Sequence, residues 1–259
     1  MKKNTETYAG VAEKFGKYEN AQVLLTSLPY DGTSTWGKGA DKGYEAFMDA
    51  SSNMELYDIE TNSEPYKNGV FLEKPLKLKN CTPEEMVLKI YKTVTAQLKT
   101  GKLLTYFGGE HSVSIGVLRA FAKKYKKLTV LQLDAHTDVS EKTFLQKAKV
   151  YFAHQIMDND YWMEEAIKKM TNDVYITLDL DVFDSSIMPS TGTPEPGGMH
   201  WYQMLQFLRM LFLRKNIVGF DIVELAPAKG NKAPEFLAAK LYYKMLAYYF
   251  ERANKKSKK

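Results

Sequence analysis

The segment Asp134-Ala135-His136-Thr137-Asp138 carries the densest chemistry in the chain. In extended backbone, residues i, i+2 and i+4 point the same way, so Asp134, His136 and Asp138 can converge on one spot. Asp179-Leu180-Asp181 repeats the i, i+2 spacing with two more carboxylates, and Gly108-Gly109-Glu110-His111-Ser112 adds a second imidazole. Taken singly, His111 reads as an ordinary loop residue and Asp179 and Asp181 as a solvated turn. Taken together, four aspartates in one place would repel one another and lose hydration unless a counter-charge joined them. Two divalent cations would supply it. Mixed carboxylate and imidazole ligands suit Mn2+, and Fe2+, Co2+ and Zn2+ accept the same donors.

Each of these groups stands just after a short apolar run. The runs at 103–107, 129–133, 174–178 and 217–223 read as strands, and the last is followed by Glu224. Further strands are expected at 23–28 and, briefly, at 150–153. Between them, amphipathic stretches predict helices at 40–50, 112–125, 161–170, 201–213 and 234–251. Thr82-Pro83-Glu84-Glu85 starts another, with an N-cap threonine, a proline in the first turn and acids behind it. Strands that are apolar on both faces and alternate with helices imply a three-layer α/β/α fold with a mostly parallel sheet. Sites in such sheets lie at the carboxyl ends of the strands, where these residues fall.

No Pro/Gly/Ser-rich linker or internal repeat divides the chain, so one domain over 1–259 is expected, with residues 252–259 as a disordered lysine-rich tail. The net charge of +5 comes mostly from lysine, with arginine only at 119, 209, 214 and 252. Arginine is the usual reader of bases and phosphates, and no basic patch interleaved with aromatics occurs, so no nucleic-acid role is expected. No run of 18 apolar residues occurs, so no membrane span is expected either. The N-terminus lacks the apolar core of a secretory signal, and the single cysteine, Cys81, fits a reducing cytoplasm.

The chain resembles the ureohydrolases, the arginases, agmatinases and their relatives. The resemblance rests on Pro29-Tyr30-Asp31-Gly32-Thr33, on Phe107 to Ser112, on Leu133 to Asp138 and on Thr177 to Asp184. It continues through Met188 to Gly198 and Phe220 to Pro227. The Pro194-Glu195-Pro196-Gly197-Gly198 and Glu224-Leu225-Ala226-Pro227 forms look most like agmatinases. The resemblance implies an arginase-like fold, a homo-oligomer (trimer or hexamer) and two Mn2+ ions. By matching positions, His111, Asp134, Asp138 and Asp179 would hold one ion. Asp134, His136, Asp179 and Asp181 would hold the other, with Asp134 and Asp179 bridging. It also implies that Glu224 anchors a guanidinium and that agmatine is cleaved to putrescine and urea by a hydroxide shared between the metals. Asp138 is the implied proton shuttle to the leaving amine. Thr193 matches a position near the guanidinium and reads equally as a turn residue.

One departure stands out. Only forty residues separate Asp138 from Asp179, and the family usually carries considerably more. The family's further histidine and its Gly-Ile-Arg-Ser-like turn are missing. One helix–strand unit is therefore expected to be absent, and losing a strand from inside a sheet would expose backbone edges. His154 is the one histidine in the shortened stretch and a candidate for the absent catalytic one. Its context at the end of the expected strand 150–153 fits a structural position better. The shortening leaves two alternatives to an agmatinase: an inactive metal-binding relative, or a sister hydrolase of arginine, guanidinobutyrate, proclavaminate or formiminoglutamate. His200 starts a helix and carries no expected role.

Overall fold

The computed structural model describes residues 7–136, 148–157 and 159–257. The strands are β1 (Val23–Leu28), β2 (Val70–Leu72), β3 (Leu103–Gly108), β4 (Leu128–Leu133), β5 (Asp173–Asp179) and β6 (Asn216–Val223). The helices are α1 (Gly43–Ser51), α2 (Pro83–Gln97), α3 (Ser114–Lys124), α4 (Ala153–Ile156), α5 (Tyr161–Lys169), α6 (Trp201–Arg214) and α7 (Ala233–Ser257). The strands form one sheet in the order β2-β1-β3-β6-β5-β4, and every neighbouring pair is parallel.

Strand periodicity builds the two cores. Along β1, Val23 and Leu25 face a cluster with Phe47 of α1, Leu208 of α6 and Tyr242 of α7. Leu24 and Leu28 face the other way, onto Ile90 and Val94 of α2 and Val117 and Phe121 of α3. β1 and β3 are buried along their whole length, as a strand covered on both sides requires. The start of α2 is a full capping box. The Glu85 amide donates to Thr82 Oγ1 at 3.3 Å, and the Thr82 amide donates to Glu85 Oε2 at 3.0 Å.

The outcome at the shortened segment differs from a cut through the sheet interior. β4 pairs only with β5 among the described residues, so it is an edge strand, and the short segment is the one that follows it in sequence. Its half-buried pattern fits an edge position. The strand expected at 150–153 does not form. Ala153–Ile156 instead makes one helical turn, in which the Gln155 amide donates to the Phe152 carbonyl at 2.8 Å and Gln155 Oε1 accepts from the Phe152 amide at 3.4 Å. The final helix also runs beyond its expected end at Glu251 to Ser257. Arg252 donates to Asn216 of β6 at 3.1 Å, and Lys255 pairs with Glu251 one turn back in the same helix at 2.8 Å. Lys258 and Lys259 lie outside the described residues. β2, only three residues long, was too short to read from periodicity.

Candidate metal centre and substrate cavity

Four strand ends deliver the polar groups to one rim of the sheet. β3 leads to His111, β4 to Asp134 and His136, β5 to Asp179 and Asp181, and β6 to Glu224. Hydrogen bonds continue past the strands and hold the loops together. The Gly109 amide donates to Leu28 O at 2.9 Å, the Glu110 amide to Tyr30 O at 2.8 Å and the Glu224 amide to Gly109 O at 2.9 Å. Gly109 is required there, because a Cβ would stand 1.9 Å from the Tyr30 carbonyl oxygen.

His111 Nδ1 lies 2.9 Å from Asp134 Oδ2 and 3.3 Å from Asp179 Oδ2. His136 Nδ1 lies 2.8 Å from Asp181 Oδ2 and 3.9 Å from Asp134 Oδ1. Two groups result, each with donor atoms within 4.8 Å of one another: His111, Asp134 and Asp179, then Asp134, His136 and Asp181. Asp134 belongs to both, as a bridging ligand would. Asp179, expected to bridge as well, belongs to the first group only. Asp138, expected as both ligand and proton shuttle, lies outside the described residues.

The electrostatics suit a cation-binding cluster. Burial pushes Asp179 well above the usual carboxylate range, and Asp181 is raised for the same reason, with Asp134 adding to it. Burial also pushes Asp134 upward, but His111 beside it wins, and Asp134 is held below its ordinary value. His136 resists desolvation through the nearby Asp181 carboxylate, and its pKa is raised. The tautomer of His111 points the same way. Its Nε2 lies 2.7 Å from Thr177 Oγ1, which donates onward to Asp221 Oδ1 at 2.7 Å. Thr177, whose own proton goes to Asp221, therefore accepts from Nε2–H, and Nδ1 faces two carboxylates. A divalent cation between Nδ1 and those carboxylates can take the place of a proton on Nδ1, so these residues fit divalent metal ions.

Glu224 sits beside this cluster. Its φ is +68°, a left-handed backbone that a non-glycine residue adopts at a cost. Its Oε1 accepts from the His111 amide at 2.7 Å, and burial pushes its carboxyl up to about 7. Glu224, Thr193 and the two metal-binding groups line one cavity of about 500 Å3. No lysine or arginine is among the described residues that line it. His154 is exposed, stacks on Phe152 with ring centroids 5.8 Å apart and does not line the cavity. His200 is exposed at the start of α6.

Sequence reasoning missed three supporting residues. Asp221 is fully buried in β6 and accepts hydroxyl hydrogen bonds from Thr177, Tyr175 at 2.7 Å and Ser114 at 3.1 Å. A charged residue inside an otherwise apolar strand was its signal. Glu195, from the Pro-Glu-Pro turn, places Oε1 3.6 Å from His136 Nε2. Trp36 lines the cavity at its rim, from a glycine-rich loop.

An all-parallel α/β sheet with a carboxylate and imidazole centre at its carboxyl edge is the arrangement of a candidate metal-dependent enzyme. The arginase family matches residues 21–148 and 140–247, and the chain belongs to that family. The N(1)-aminopropylagmatine ureohydrolase of a Synechocystis species is 33% identical over 95% of this chain and 94% of its own length. That alignment runs over 289 positions, more than this chain has residues, so part of that relative has no counterpart here. The agmatinase of Chromobacterium violaceum is 30% identical over 90% of this chain and 86% of its own. In fold, the agmatine ureohydrolase of Thermoplasma volcanium superposes with a TM-score of 0.84 at 23% identity, covering 96% of both chains. The two family matches meet at residues 140–148, inside the stretch that the sequence marks as short.

Proposed function

We propose that this protein hydrolyses the guanidinium group of agmatine, or of an agmatine carrying a further aminoalkyl arm, to urea and the free amine. The observation that carries this reading is the charge of the cavity. Glu224, Asp134, Asp179 and Asp181 line it, and no described lining residue is a lysine or arginine. Arginine, guanidinobutyrate, proclavaminate and formiminoglutamate each bring a carboxylate that would have no cationic partner among the described lining residues. A substrate that is cationic at both ends meets no such penalty. The longer amine has support of its own, because the Synechocystis relative bears the name of an N(1)-aminopropylagmatine hydrolase.

In this reading His111, Asp134 and Asp179 hold one Mn2+, and Asp134, His136 and Asp181 the other, with Asp138 added to the first by sequence. Bound there, a divalent pair supplies positive charge and makes water far more acidic. The chain's own residues do the rest. Glu224 accepts paired N–H bonds from the planar guanidinium and fixes its orientation. Its left-handed backbone turns the carboxylate into the cavity, and the His111 amide holds one of its oxygens. Asp138 shuttles the proton to the leaving amine, and Thr193 contacts the guanidinium from the opposite loop. A single catalytic domain, a homo-oligomer and a cytoplasmic setting complete the proposal. Among the described residues no helix is long and apolar enough to cross a membrane.

Urea release from Mn2+-loaded protein tests it, with agmatine, N(1)-aminopropylagmatine, arginine and 4-guanidinobutyrate compared side by side. Turnover of one or both amines with little of either carboxylate substrate is expected. Bound manganese with no urea from any of them would instead identify an inactive relative.

A further inference from the structure

Trp36 is 83% exposed, and it lines the same cavity as Glu224. An indole left in water normally sits on a loosely held loop, but this loop is tied down from several sides. Glu110, only 3% exposed, accepts the Thr33 amide at 2.6 Å, the Ser34 amide at 2.9 Å and the Thr33 hydroxyl. Asp31 accepts the Gly39 amide at 2.7 Å and the Ser34 hydroxyl. The Gly37 amide donates to Gly192 O at 3.1 Å. A fixed backbone therefore presents the indole at the cavity mouth.

Gly192 measures the distance to the anionic floor. A Cβ on it would lie 3.6 Å from Glu224 Oε2 and 3.2 Å from the Gly37 carbonyl oxygen. One glycine thus separates the Glu224 carboxylate from the residue next to Trp36. α3 contributes Ile115 and Leu118 to the same lining. The cavity thus combines the Glu224 carboxylate, two aliphatic side chains and an exposed indole. A ligand that matches these three surfaces has a cation, an apolar spacer and a second cation. Indole is the best of the side-chain rings at receiving a cation over its face, and that face repels a carboxylate.

We propose that Trp36 is a specificity-determining residue, whose ring receives the ammonium at the far end of a substrate held by its guanidinium at Glu224. This rests on the hydrolase reading above. It explains how the site selects an amine-terminated guanidine with no carboxylate dedicated to the amine among the described residues.

The test compares agmatine with n-butylguanidine, which has the same spacer and no ammonium, on Mn2+-loaded full-length protein. W36L is expected to raise KM for agmatine about tenfold, equivalent to about 1.4 kcal/mol, with kcat within about twofold. Its KM for n-butylguanidine should move less than about threefold, and W36F should restore most of the agmatine affinity. Equal shifts for both substrates would overturn the proposal by showing a merely apolar contact. A changed sedimentation coefficient in W36L with KM unchanged would overturn it by assigning the indole to a subunit contact. If the wild type hydrolyses no guanidine, the hydrolase reading fails, and the proposal is judged by tryptophan emission. An agmatine-dependent change in the wild type that W36F lacks supports Trp36 as the amine site. No change overturns it.

Discussion

His111 Nε2 lies 2.7 Å from the Thr177 hydroxyl oxygen, and that hydroxyl lies 2.7 Å from Asp221 Oδ1. The buried Asp221 thus reaches a candidate metal ligand through a single side chain. The relay fixes the imidazole ring and leaves its Nδ1 turned toward Asp134 and Asp179. T177V removes both the acceptor and the donor at similar volume. Supporting partners of this kind are worth about 10–100-fold in metal affinity. T177V is expected to weaken Mn2+ binding by that factor in chelator competition, with activity recovered at high metal. T177S should stay close to the wild type. Unchanged affinity in T177V would show that the ring is held by its packing alone.

Glu224 combines a left-handed backbone with a buried carboxyl, so its place in the site costs stability. E224A removes the carboxyl and keeps the backbone strain, whereas E224G removes both. Relief of left-handed strain is worth about 1 kcal/mol. E224G should therefore unfold at higher denaturant than E224A by about that amount. Both should bind Mn2+ like the wild type and lose guanidine turnover. Loss of a buried charge partner costs about 2–5 kcal/mol, roughly 30-fold or more in kcat/KM. Equal stability of the two variants would show that the strain is absorbed elsewhere.

Gly109 is the hinge between β3 and the ligand His111. G109A would drive a methyl group into the Tyr30 carbonyl, a contact at 1.9 Å before any movement. The backbone would have to shift, breaking the bonds that join the β1 and β3 loops to Glu224. A loss of about 2–4 kcal/mol is expected in urea denaturation, at the high end for a single substitution. Manganese binding should fall with it. The neighbouring pair Thr82 and Glu85 serves as a control, since T82A removes one cap at about 1 kcal/mol and leaves metal binding alone.

The sheet and the ligand groups were legible for two different reasons. Strands buried on both faces read as apolar runs, and Asp134 with His136 and Asp179 with Asp181 share a face by spacing alone. The strand order was not legible, because register between β3 and β6 is set by contacts far apart in sequence. That order decides what the shortened segment costs: it follows an edge strand, so among the described residues no interior strand lacks a neighbour. Residues 150–153 misled because a short apolar run fits a strand and a helical turn equally well. Asp221 and Thr177 went unread for a different reason. A buried polar residue in a strand shows its purpose only when its partners arrive from β5 and α3.

The carboxylate cluster sets how stability depends on pH. Glu224 titrates near 7 in the fold against an ordinary value of 4.5, because burial favours its neutral form. Between those values the folded state holds a proton that the unfolded state has lost, so stability falls as pH rises through that window. Asp179 and Asp181 are raised as well and act in the same sense, and so does His136, whose stabilising interaction with Asp181 fades as it deprotonates. Asp134 is lowered and acts oppositely, but only below its ordinary value of 3.8, outside this window. Metal-free protein is therefore expected to lose Tm between pH 5 and pH 7.5. Mn2+ should reverse the trend, because a cation favours the ionised carboxylates that the fold otherwise disfavours. The rise in Tm on adding Mn2+ should be larger at pH 7.5 than at pH 5.5 in parallel thermal melts. A metal-induced rise that is equal at both pH values would place the cation away from these carboxylates.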